Sequence, residues 1–454
     1  MRKENSLLIT ISILVAVLIG VGAYVYKSAK FERTPPKIYM VGPVYWNFKS
    51  PIRLVVTDDT GVKYCKVKVE EPTREMLIYE GSFDKAVKLL DLNLTYPKNG
   101  FVPTSDKAII RIEARDGSYW NFFSGNKTIF ESSVIADNKP PQVEVIANSF
   151  SIAKGGSALV VFEAKDENLD RVYVETTGGK IFNAQPFVKN GFYAALIAWD
   201  IKSDNFSAFA VATDKARNVT KAPIRILGKN IVYKDSKIEL KDDFLDGKIA
   251  QLAADMPKFG SAPKIDRFIY VNSTMRKLNE NLVRKITDRV GVNMVNSYFT
   301  EPFVPIARAA IVGTYGDHRN FFYQGAQVSE AYHMGIDFAS TKEAPILAPN
   351  DGVVMFTGNN GIYGNLMIVY HDLGFFTIYG HCSSFVAKEG QRVSRGDIIA
   401  NTGMTGLALG DHLHFGTIVQ GVDVRPIEWL DKKWIDTNII KVMNDAKKTL
   451  DSKQ

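Results

Sequence analysis

Cysteine is scarce in this chain of 454 residues, which contains only Cys65 and Cys382. The two residues lie in different predicted domains, so we do not expect a disulfide bond between them. Cys382 directly follows a histidine and could be mistaken for a catalytic nucleophile, but nothing else in its surroundings marks it as one. We expect its side chain to be packed and inert. Two cysteines do not decide the redox compartment.

Strong net charge is also lacking. Lys and Arg number 56 against 49 Asp and Glu, which gives a net charge of +7 and a pI of about 9.0. No basic stripe is interleaved with aromatic residues, so the sequence argues against nucleic-acid binding. A mildly basic surface either serves solubility alone or favours attraction to an anionic polymer, such as one of the cell envelope. The length suffices for about three domains.

One long apolar run stands out, the twenty uncharged residues from Leu7 to Tyr26. A helix of this length can span a bilayer. Val21-Gly22-Ala23 is compatible with signal-peptidase cleavage. The apolar run is, however, longer than the hydrophobic region of most signal sequences. We therefore interpret residues 1–33 as an uncleaved membrane anchor. Its orientation is not fixed by charge, because basic residues lie on both sides: Arg2, Lys3, Lys27, Lys30 and Arg33.

Histidine is scarce as well, and its distribution is uneven. Four of the six histidines fall in three short motifs, which are His333-Met334-Gly335-Ile336-Asp337, Tyr379-Gly380-His381 and His412-Leu413-His414. Neutral imidazole and carboxylate are the usual nitrogen and oxygen ligands of catalytic zinc. Ordinary surface or packed histidines would not be expected to cluster in this way. The motifs therefore predict a metal site.

The alternation of apolar and polar residues predicts that these motifs lie on strands. His333 and Asp337 share one face, but a straight strand would hold their Cα atoms roughly 13 Å apart. Gly335 permits a bend that would bring them together. His412 and His414 also share a face. The pattern gives three ligand candidates and two histidines that need not be ligands, and a catalytic zinc site takes three protein ligands.

These motifs belong to a wider pattern that resembles the lysostaphin-type (LytM-like) zinc endopeptidases, which cleave peptide bonds in bacterial peptidoglycan. The resemblance covers about Val304 to Trp434. Beyond the histidines it includes five further segments: Gly313-Thr314-Tyr315-Gly316-Asp317-His318-Arg319, Ala348-Pro349-Asn350-Asp351-Gly352-Val353-Val354, Gly361-Ile362-Tyr363-Gly364-Asn365, Gly403-Met404-Thr405-Gly406 and Val424-Arg425-Pro426-Ile427-Glu428-Trp429.

The resemblance implies an antiparallel all-β zinc peptidase domain at residues 304–435. It implies that His333, Asp337 and His414 bind Zn²⁺ and that His381 and His412 are the catalytic histidines. Neither His318 nor His371 is a ligand in the family, and we expect both to be structural or surface residues. Gly416 departs from the family, since many members carry Glu there, but this change removes no ligand.

Two upstream segments, 34–136 and 137–228, look like repeats. Each begins with Pro-Pro and a short strand, and each closes with a strand that runs into an acidic turn. Short strands with polar turns fit β-sandwiches, and the segments weakly resemble immunoglobulin-like modules. The predicted fold is therefore mainly β: a transmembrane helix, two immunoglobulin-like β-sandwiches, a short helical linker and the peptidase domain.

Residues 229–303 change to helical periodicity. Apolar residues from Met275 to Val290 recur at spacings of three and four, and this helix is expected to end at Gly291. Phe244, Ile249, Leu252 and Met256 suggest a shorter helix. Either the helices form a packed linker, or they form a lid over the metal site. Residues 436–454 are expected to be a solvated helical tail.

We predict a zinc-dependent endopeptidase that hydrolyses peptide cross-links of peptidoglycan, at D-Ala–diaminopimelate bonds. It would be a single-pass protein of the cytoplasmic membrane with its catalytic domain in the periplasm or envelope space. Envelope proteins are possible partners through the sandwiches. The alternative is a non-enzymatic, membrane-anchored activator or scaffold for other wall hydrolases. No motif specifies the bond; the choice follows from the architecture, because a single-pass protein with tandem sandwiches looks like the periplasmic members of the family.

Overall fold

The computed structural model describes residues 2–98, 108–254, 259, 261–298 and 301–452. The chain forms two compact units. The first contains residues 1–140, 168–170 and 213–219, and the second contains residues 141–167, 171–212 and 220–454. The fold is mainly β, as the sequence predicts.

Helix α1 spans Arg2–Lys27 at the N-terminus. Its stretch Leu7–Lys27 is long and apolar enough to cross a membrane, and none of that stretch is buried within the protein. Apolar surface of this extent is unfavourable in water. The helix predicted from the apolar run is therefore present, while its retention as an anchor stays a prediction.

The strands of the first unit form one six-stranded sheet in the order β1-β3-β5-β6-β2, with β4 paired to β3. Side chains along β5 alternate between exposed and buried, so one face of the sheet packs on the core around Trp46, Leu54 and Ile112. The two-sheet sandwich expected for residues 34–136 stays a prediction. The strands are β1 Lys37–Tyr39, β2 Val44–Trp46, β3 Ile52–Glu71, β4 Arg74–Leu94, β5 Ile109–Asp116 and β6 Lys127–Ala136. Short helical turns occupy Ala29–Phe31 and Trp120–Phe123.

Two four-stranded sheets follow, in the orders β11-β10-β14-β15 and β12-β13-β9-β7, together with the parallel pair β8 and β16. The strands are β7 Gln142–Asn148, β8 Ser151–Ala153, β9 Ser157–Lys165, β10 Leu169–Thr176, β11 Ile181–Asn183, β12 Gln185–Phe187, β13 Lys189–Ala198, β14 Ala208–Asp214, β15 Val219–Pro223 and β16 Leu227–Lys229, with a 3-10 turn at Thr177–Gly179. The first eight residues of β9 are all buried, so this strand is covered on both faces.

The C-terminal helix Lys441–Ser452 covers one side of this region, because it packs against β7 and β9. Its buried residues are Val442, Met443, Ala446 and Leu450. The prediction of a solvated tail at residues 436–454 was therefore wrong. Lys441 and Lys448 lie on the exposed side of this helix, and its opposite side is part of the core.

The segment between these sheets and the predicted peptidase domain is mainly helical, as expected from the sequence. After β17 (Asp235–Glu239), its helical elements are Asp242–Phe244, Leu245–Ile249, Ala250–Ala253, Lys264–Tyr270, Val271–Met275 and Arg276–Thr287. The amphipathic helix ends at Thr287, shortly before the predicted Gly291. Met256, which was part of the shorter predicted helix, lies outside the described residues.

The peptidase region is built on an antiparallel eight-stranded sheet in the order β18-β21-β29-β25-β24-β23-β27, with β30 paired to β29. Every residue of β25 and β29 is buried. On one face, Phe376, Ile378 and Ile418 share a core with Val271 and Val283 of the helical segment. On the other face, the rings of Phe375 and Trp429 stack with their centroids 3.8 Å apart.

The strands of this region are β18 Ala310–Gly313, β19 His318–Tyr323, β20 Ala326–Tyr332, β21 Ile336–Ala339, β22 Pro345–Leu347, β23 Gly352–Asn359, β24 Asn365–Tyr370, β25 Phe375–Cys382, β26 Ser384–Phe385, β27 Arg392–Val393, β28 Ile398–Asn401, β29 Leu413–Val419 and β30 Val422–Val424. A 3-10 turn occupies Gly361–Tyr363, and the helices after β30 are Pro426–Leu430, Lys432–Ile435, Asp436–Ile440 and Lys441–Ser452.

Candidate metal centre

Asp337 and His414 lie side by side on neighbouring strands of the eight-stranded sheet. β21 pairs with β29 in a register that places Asp337 opposite His414. Directly opposed residues project from the same face of a sheet, and Asp337 Oδ1 lies 3.0 Å from His414 Nδ1. Strand pairing therefore positions two of the three predicted metal ligands.

His333 reaches the same point from a bend. β20 ends at Tyr332 and β21 begins at Ile336, so His333 and Asp337 are not on one straight strand. A Cβ atom at Gly335, within this bend, would lie 2.5 Å from His414 Cε1, which leaves room only for glycine. His333 Nε2 lies 3.0 Å from Asp337 Oδ1 and 3.1 Å from His414 Nδ1.

One metal ion fits the spacing of these three atoms. Ligand atoms about 2 Å from a tetrahedral ion lie about 3.3 Å apart, close to the observed 3.0–3.1 Å. His333 Nδ1 lies 2.9 Å from the Thr314 carbonyl oxygen. A carbonyl only accepts, so His333 Nδ1 carries the proton and its Nε2 presents a lone pair. The three residues thus offer two nitrogens and one carboxylate oxygen to a single point.

The charge state of the cluster also suits a cation. Burial opposes ionisation of Asp337, but the adjoining rings of His333 and His414 hold the pKa of its carboxyl well below the usual range. Burial lowers the pKa of His414 to about 4, so its ring is neutral near pH 7. Arg319 Nη2 lies 3.7 Å from the other oxygen, Asp337 Oδ2, which further favours the ionised carboxylate.

His381 and His412 form a second pair beside this cluster. Their ring centroids are 4.7 Å apart, and the His381 ring lies 5.9 Å from that of His414. His381 Nδ1 donates to the Thr405 carbonyl at 2.8 Å, and His412 Nδ1 donates to the Gly410 carbonyl at 2.8 Å. In the neutral form of either ring, these bonds leave Nε2 with the lone pair. His412 Nε2 is 3.8 Å from Asp337 Oδ1.

The backbone at His381 is strained, with a φ of +64° at the end of β25. A non-glycine residue in this region costs on the order of 1 kcal/mol and persists only where the surroundings enforce it. Burial, followed by the neighbouring His414 and His412, lowers the pKa of His381 to about 3. The fold therefore holds this imidazole neutral and in one orientation.

The remaining candidates behave as expected from the sequence. Cys382 is fully buried, and burial raises the pKa of its thiol to about 12, so it is inert. His371 is buried and contacts the Asp351 carbonyl and the Thr377 hydroxyl at 2.7 and 2.8 Å. His318 stacks on Tyr332, with ring centroids 4.6 Å apart. Neither histidine belongs to the metal cluster.

Sequence reasoning missed the residues that orient the cluster. Thr314 and Thr405 act through their carbonyl groups, which no side-chain pattern reveals, and Arg319 adjoins Asp337 from β19. All three lie in glycine-containing segments of the family pattern. Their position in these segments was the one feature of the sequence that could have pointed to them.

A cleft of about 570 Å³ opens beside His333 and His414. The helical segment supplies much of its wall, including Leu240, Phe244 and Arg276. The Arg276 guanidinium bonds to Asn272 Oδ1 at 2.9 Å. Within the described part of the chain, no carboxylate lies within ion-pairing distance of Arg276. The cleft therefore places a guanidinium that has no direct ion pair near the metal-ligand candidates, with the Glu280 carboxylate in the same wall.

Residues 331–426 match peptidase family M23. The chain contains an M23 peptidase domain. This chain is 41% identical over 97 residues to the peptidoglycan DD-endopeptidase ShyA of Vibrio cholerae. The aligned residues make up 21% of this chain and 22% of ShyA. It is 36% identical over 107 residues to the murein hydrolase activator NlpD of Escherichia coli, which covers 23% of this chain and 28% of NlpD. The chain thus spans less than a third of the length of either relative.

A crystal structure described as a putative M23 peptidase from Pseudomonas aeruginosa is also similar. The similarity covers 60% of this chain and 92% of that one, at 18% identity and a TM-score of 0.37.

Proposed function

We propose that this protein is a zinc-dependent endopeptidase that hydrolyses peptide cross-links of bacterial peptidoglycan. The observation that carries the proposal is the convergence of His333 Nε2, Asp337 Oδ1 and His414 Nδ1 within 3.1 Å of one another, beside a second histidine pair. A structural metal site does not require a neighbouring pair of oriented imidazoles. A metal-dependent hydrolase requires both the metal ligands and groups that transfer protons.

His333, Asp337 and His414 would hold the ion. Two imidazoles and a carboxylate are a common donor set for catalytic zinc, and three protein ligands leave a position open. When bound, zinc acidifies water and polarises a carbonyl oxygen. The Thr314 carbonyl fixes the His333 tautomer, and Gly335 keeps the bend narrow enough for both rings.

His381 and His412 would move protons. Peptide hydrolysis requires removal of a proton from the attacking water and delivery of one to the departing amine. Both imidazoles have Nδ1 fixed by a backbone carbonyl, so Nε2 is the atom available for these transfers. The pair can also stabilise the developing oxyanion.

The substrate class follows from the relatives and from the cleft. ShyA is named a peptidoglycan DD-endopeptidase, which supports D-Ala–diaminopimelate bonds as the site of cleavage. Stem peptides of this type carry free carboxylates. Arg276 offers a guanidinium for one of them in the cleft beside His333, and such pairs are strongest where water is largely excluded.

The second candidate is a non-enzymatic activator of other wall hydrolases, because NlpD is named a murein hydrolase activator. An activator does not need all five residues of the cluster, namely His333, Asp337, His381, His412 and His414. Their joint presence in hydrogen-bonding geometry favours the enzyme.

The proposal extends to location and architecture. Helix α1 would anchor the chain in the cytoplasmic membrane, with the peptidase domain in the periplasm or envelope space, where peptidoglycan lies. Residues 34–136 and 137–228 would be immunoglobulin-like sandwiches that bind envelope partners. Residues 229–303 would link them to the peptidase domain at 304–435.

The test is digestion of purified peptidoglycan by the full chain in detergent, followed by mass analysis of the products. We expect products of cross-link cleavage from the wild-type chain. These products should be absent when a chelator is added and when the Asp337→Ala variant is used. His318→Gln removes a histidine outside the cluster and should retain activity. No products from the wild-type chain, combined with faster digestion by an added wall hydrolase, would favour the activator.

A further inference from the structure

Exposed aromatic side chains are concentrated in one loop of the first unit, residues 119–123. Phe122 is 98% exposed, Phe123 is 74% exposed and Tyr119 is 44% exposed. Single exposed apolar residues are common on soluble proteins, but a contiguous exposed patch indicates an interaction surface. Three large rings within five residues form such a patch.

The backbone holds these rings outward. Asn121, Phe122 and Phe123 all have positive φ, at +49°, +54° and +66°. Three consecutive left-handed residues without a glycine are unfavourable, and such strain persists only where surrounding contacts enforce it. Here Asn121 Nδ2 donates to the Gly125 carbonyl at 3.2 Å. Trp120 N donates to Ser118 Oγ at 3.1 Å. The exposure of the rings is therefore built into the turn.

The loop adjoins the end of helix α1. Tyr119 N donates to the Lys30 carbonyl at 2.7 Å, which ties the loop to the chain just after the helix. The Phe31 ring contacts the rings of Tyr24, Tyr119 and Phe123, with centroids 6.3, 5.8 and 6.5 Å away.

A cation joins the same cluster. The Arg33 guanidinium lies over Tyr26, 5.3 Å from its ring centroid, and over Trp120 at 4.3 Å. Tyr26 belongs to the last turn of α1 and Trp120 to the loop. Aromatic rings and basic residues at the end of a membrane-spanning helix occupy the level of the lipid headgroups.

We propose that residues 119–123 form a second membrane contact, which inserts Phe122 and Phe123 into the boundary between headgroups and acyl chains beside helix α1. This inference rests on the proposed anchoring of α1. Phe supplies the apolar part of such a contact, Tyr and Trp suit the headgroup level, and Lys27, Lys30 and Arg33 are positioned for lipid phosphates. The occupant of the patch is thus the bilayer from which α1 emerges.

A second contact changes what the anchor does. A single helix leaves the attached sheet free to tilt and rotate about the membrane normal. Two contacts on the same leaflet define the tilt of the first unit. The six-stranded sheet would then project from the membrane at a fixed angle.

The experiment uses single-cysteine labelling of the full chain. Cys65 and Cys382 are fully buried and should not react under native conditions. An environment-sensitive fluorophore is attached in detergent to Phe122→Cys, and the protein is reconstituted into nanodiscs of phosphatidylglycerol and phosphatidylethanolamine, with or without doxyl-labelled lipid. The expected result is blue-shifted emission that doxyl lipid quenches severalfold.

Two further positions serve as controls. Val17→Cys lies within α1 and reports anchoring alone. Thr73→Cys lies in the turn after β3, about 30 Å along that strand from the loop end of the sheet, and should show neither shift nor quenching. Circular dichroism checks that each variant keeps its strand content.

The outcomes separate the loop from the anchor. Quenching at position 17 with water-like emission at position 122 would overturn the loop contact and leave the anchor intact. No quenching at position 17 would overturn the anchor and, with it, the loop contact. A blue shift at position 122 that doxyl lipid does not quench, and that requires two chains per disc, would assign the patch to a second copy and also overturn the proposal.

Discussion

Replacing Glu428 with glutamine should stabilise the protein at neutral and alkaline pH. Glu428 lies in the helix Pro426–Leu430, is 7% exposed and accepts a hydrogen bond at Oε2 from Ser157 N at 3.0 Å. Trp429 Nε1 donates to Ser157 Oγ at 3.1 Å, so the same serine meets both residues. Burial raises the pKa of Glu428 to about 7, although the Ser157 N–H and Arg425 oppose the shift.

The sign follows from proton linkage. The folded state binds the Glu428 proton more tightly than the unfolded state, whose pKa is 4.5. This group therefore contributes stability that is fully present below pH 4.5 and is lost as the pH rises through about 7. Each tenfold change in proton affinity is about 1.4 kcal/mol, so the loss is about 3 kcal/mol.

Glu428→Gln keeps an oxygen for the Ser157 N–H but cannot ionise. Near pH 8 we expect the free energy of unfolding of this variant to be about 1–3 kcal/mol higher than that of the wild type. Below about pH 5 we expect the two proteins to be equally stable. Urea unfolding followed by tryptophan fluorescence at a series of pH values measures the difference. Glu389→Gln, an exposed carboxylate of the same domain, is the matched control. A Glu428→Gln protein destabilised equally at every pH would refute the reasoning.

Four further predictions concern the site. Asp337→Ala should lose bound zinc and activity, since two ligands hold the ion poorly; full occupancy by metal analysis would remove Asp337 from the ligand set. His412→Ala should keep zinc but lose roughly 10²–10⁴ in rate, and a metal-free variant would make it a ligand. A protein beginning at Val304 loses the apolar partners that the helical segment gives to the eight-stranded sheet. It should have a lower melting temperature and turn over soluble cross-linked muropeptide more slowly, whereas faster turnover would favour a lid. Arg276→Gln should raise KM on that substrate with little change in kcat, whereas the exposed Lys277→Gln should change neither, and equal KM values would remove Arg276 from substrate binding.

The residues of the candidate site were visible in the sequence because they are few and clustered. The pattern H-x-G-x-D also predicted a bend at Gly335, and the structure has one there. Which strand would pair with which was not visible, because the opposition of Asp337 and His414 joins strands 77 residues apart. The carbonyls of Thr314 and Thr405 were invisible for a different reason, because backbone groups carry no sequence signature.

The helical segment shows a different limit. Its amphipathic periodicity predicted a helix that needed a partner, and Val283 does pack on the peptidase sheet. Periodicity does not identify the partner, so it favoured a packed linker without excluding a lid. In the structure the helix contacts the sheet and also borders the cleft. Val283 contributes to the core shared with the sheet, and Arg276 lines the cleft beside His333.

The misjudged C-terminal helix shows how such a partner can be inferred. Residues 157–164 are buried without alternation, which is typical of a strand covered on both faces. Such a strand needs a second cover, and the helix Lys441–Ser452 provides it. Ser149 Oγ donates to the Asn438 carbonyl at 2.8 Å, and Asn183 and Gln420 exchange two hydrogen bonds of 2.8 and 3.0 Å. The sheets around β9 thus contact the C-terminal part of the chain through this helix and through these hydrogen bonds, so a peptidase domain cut free of them would lose contacts on this side as well as packing on the side of the helical segment.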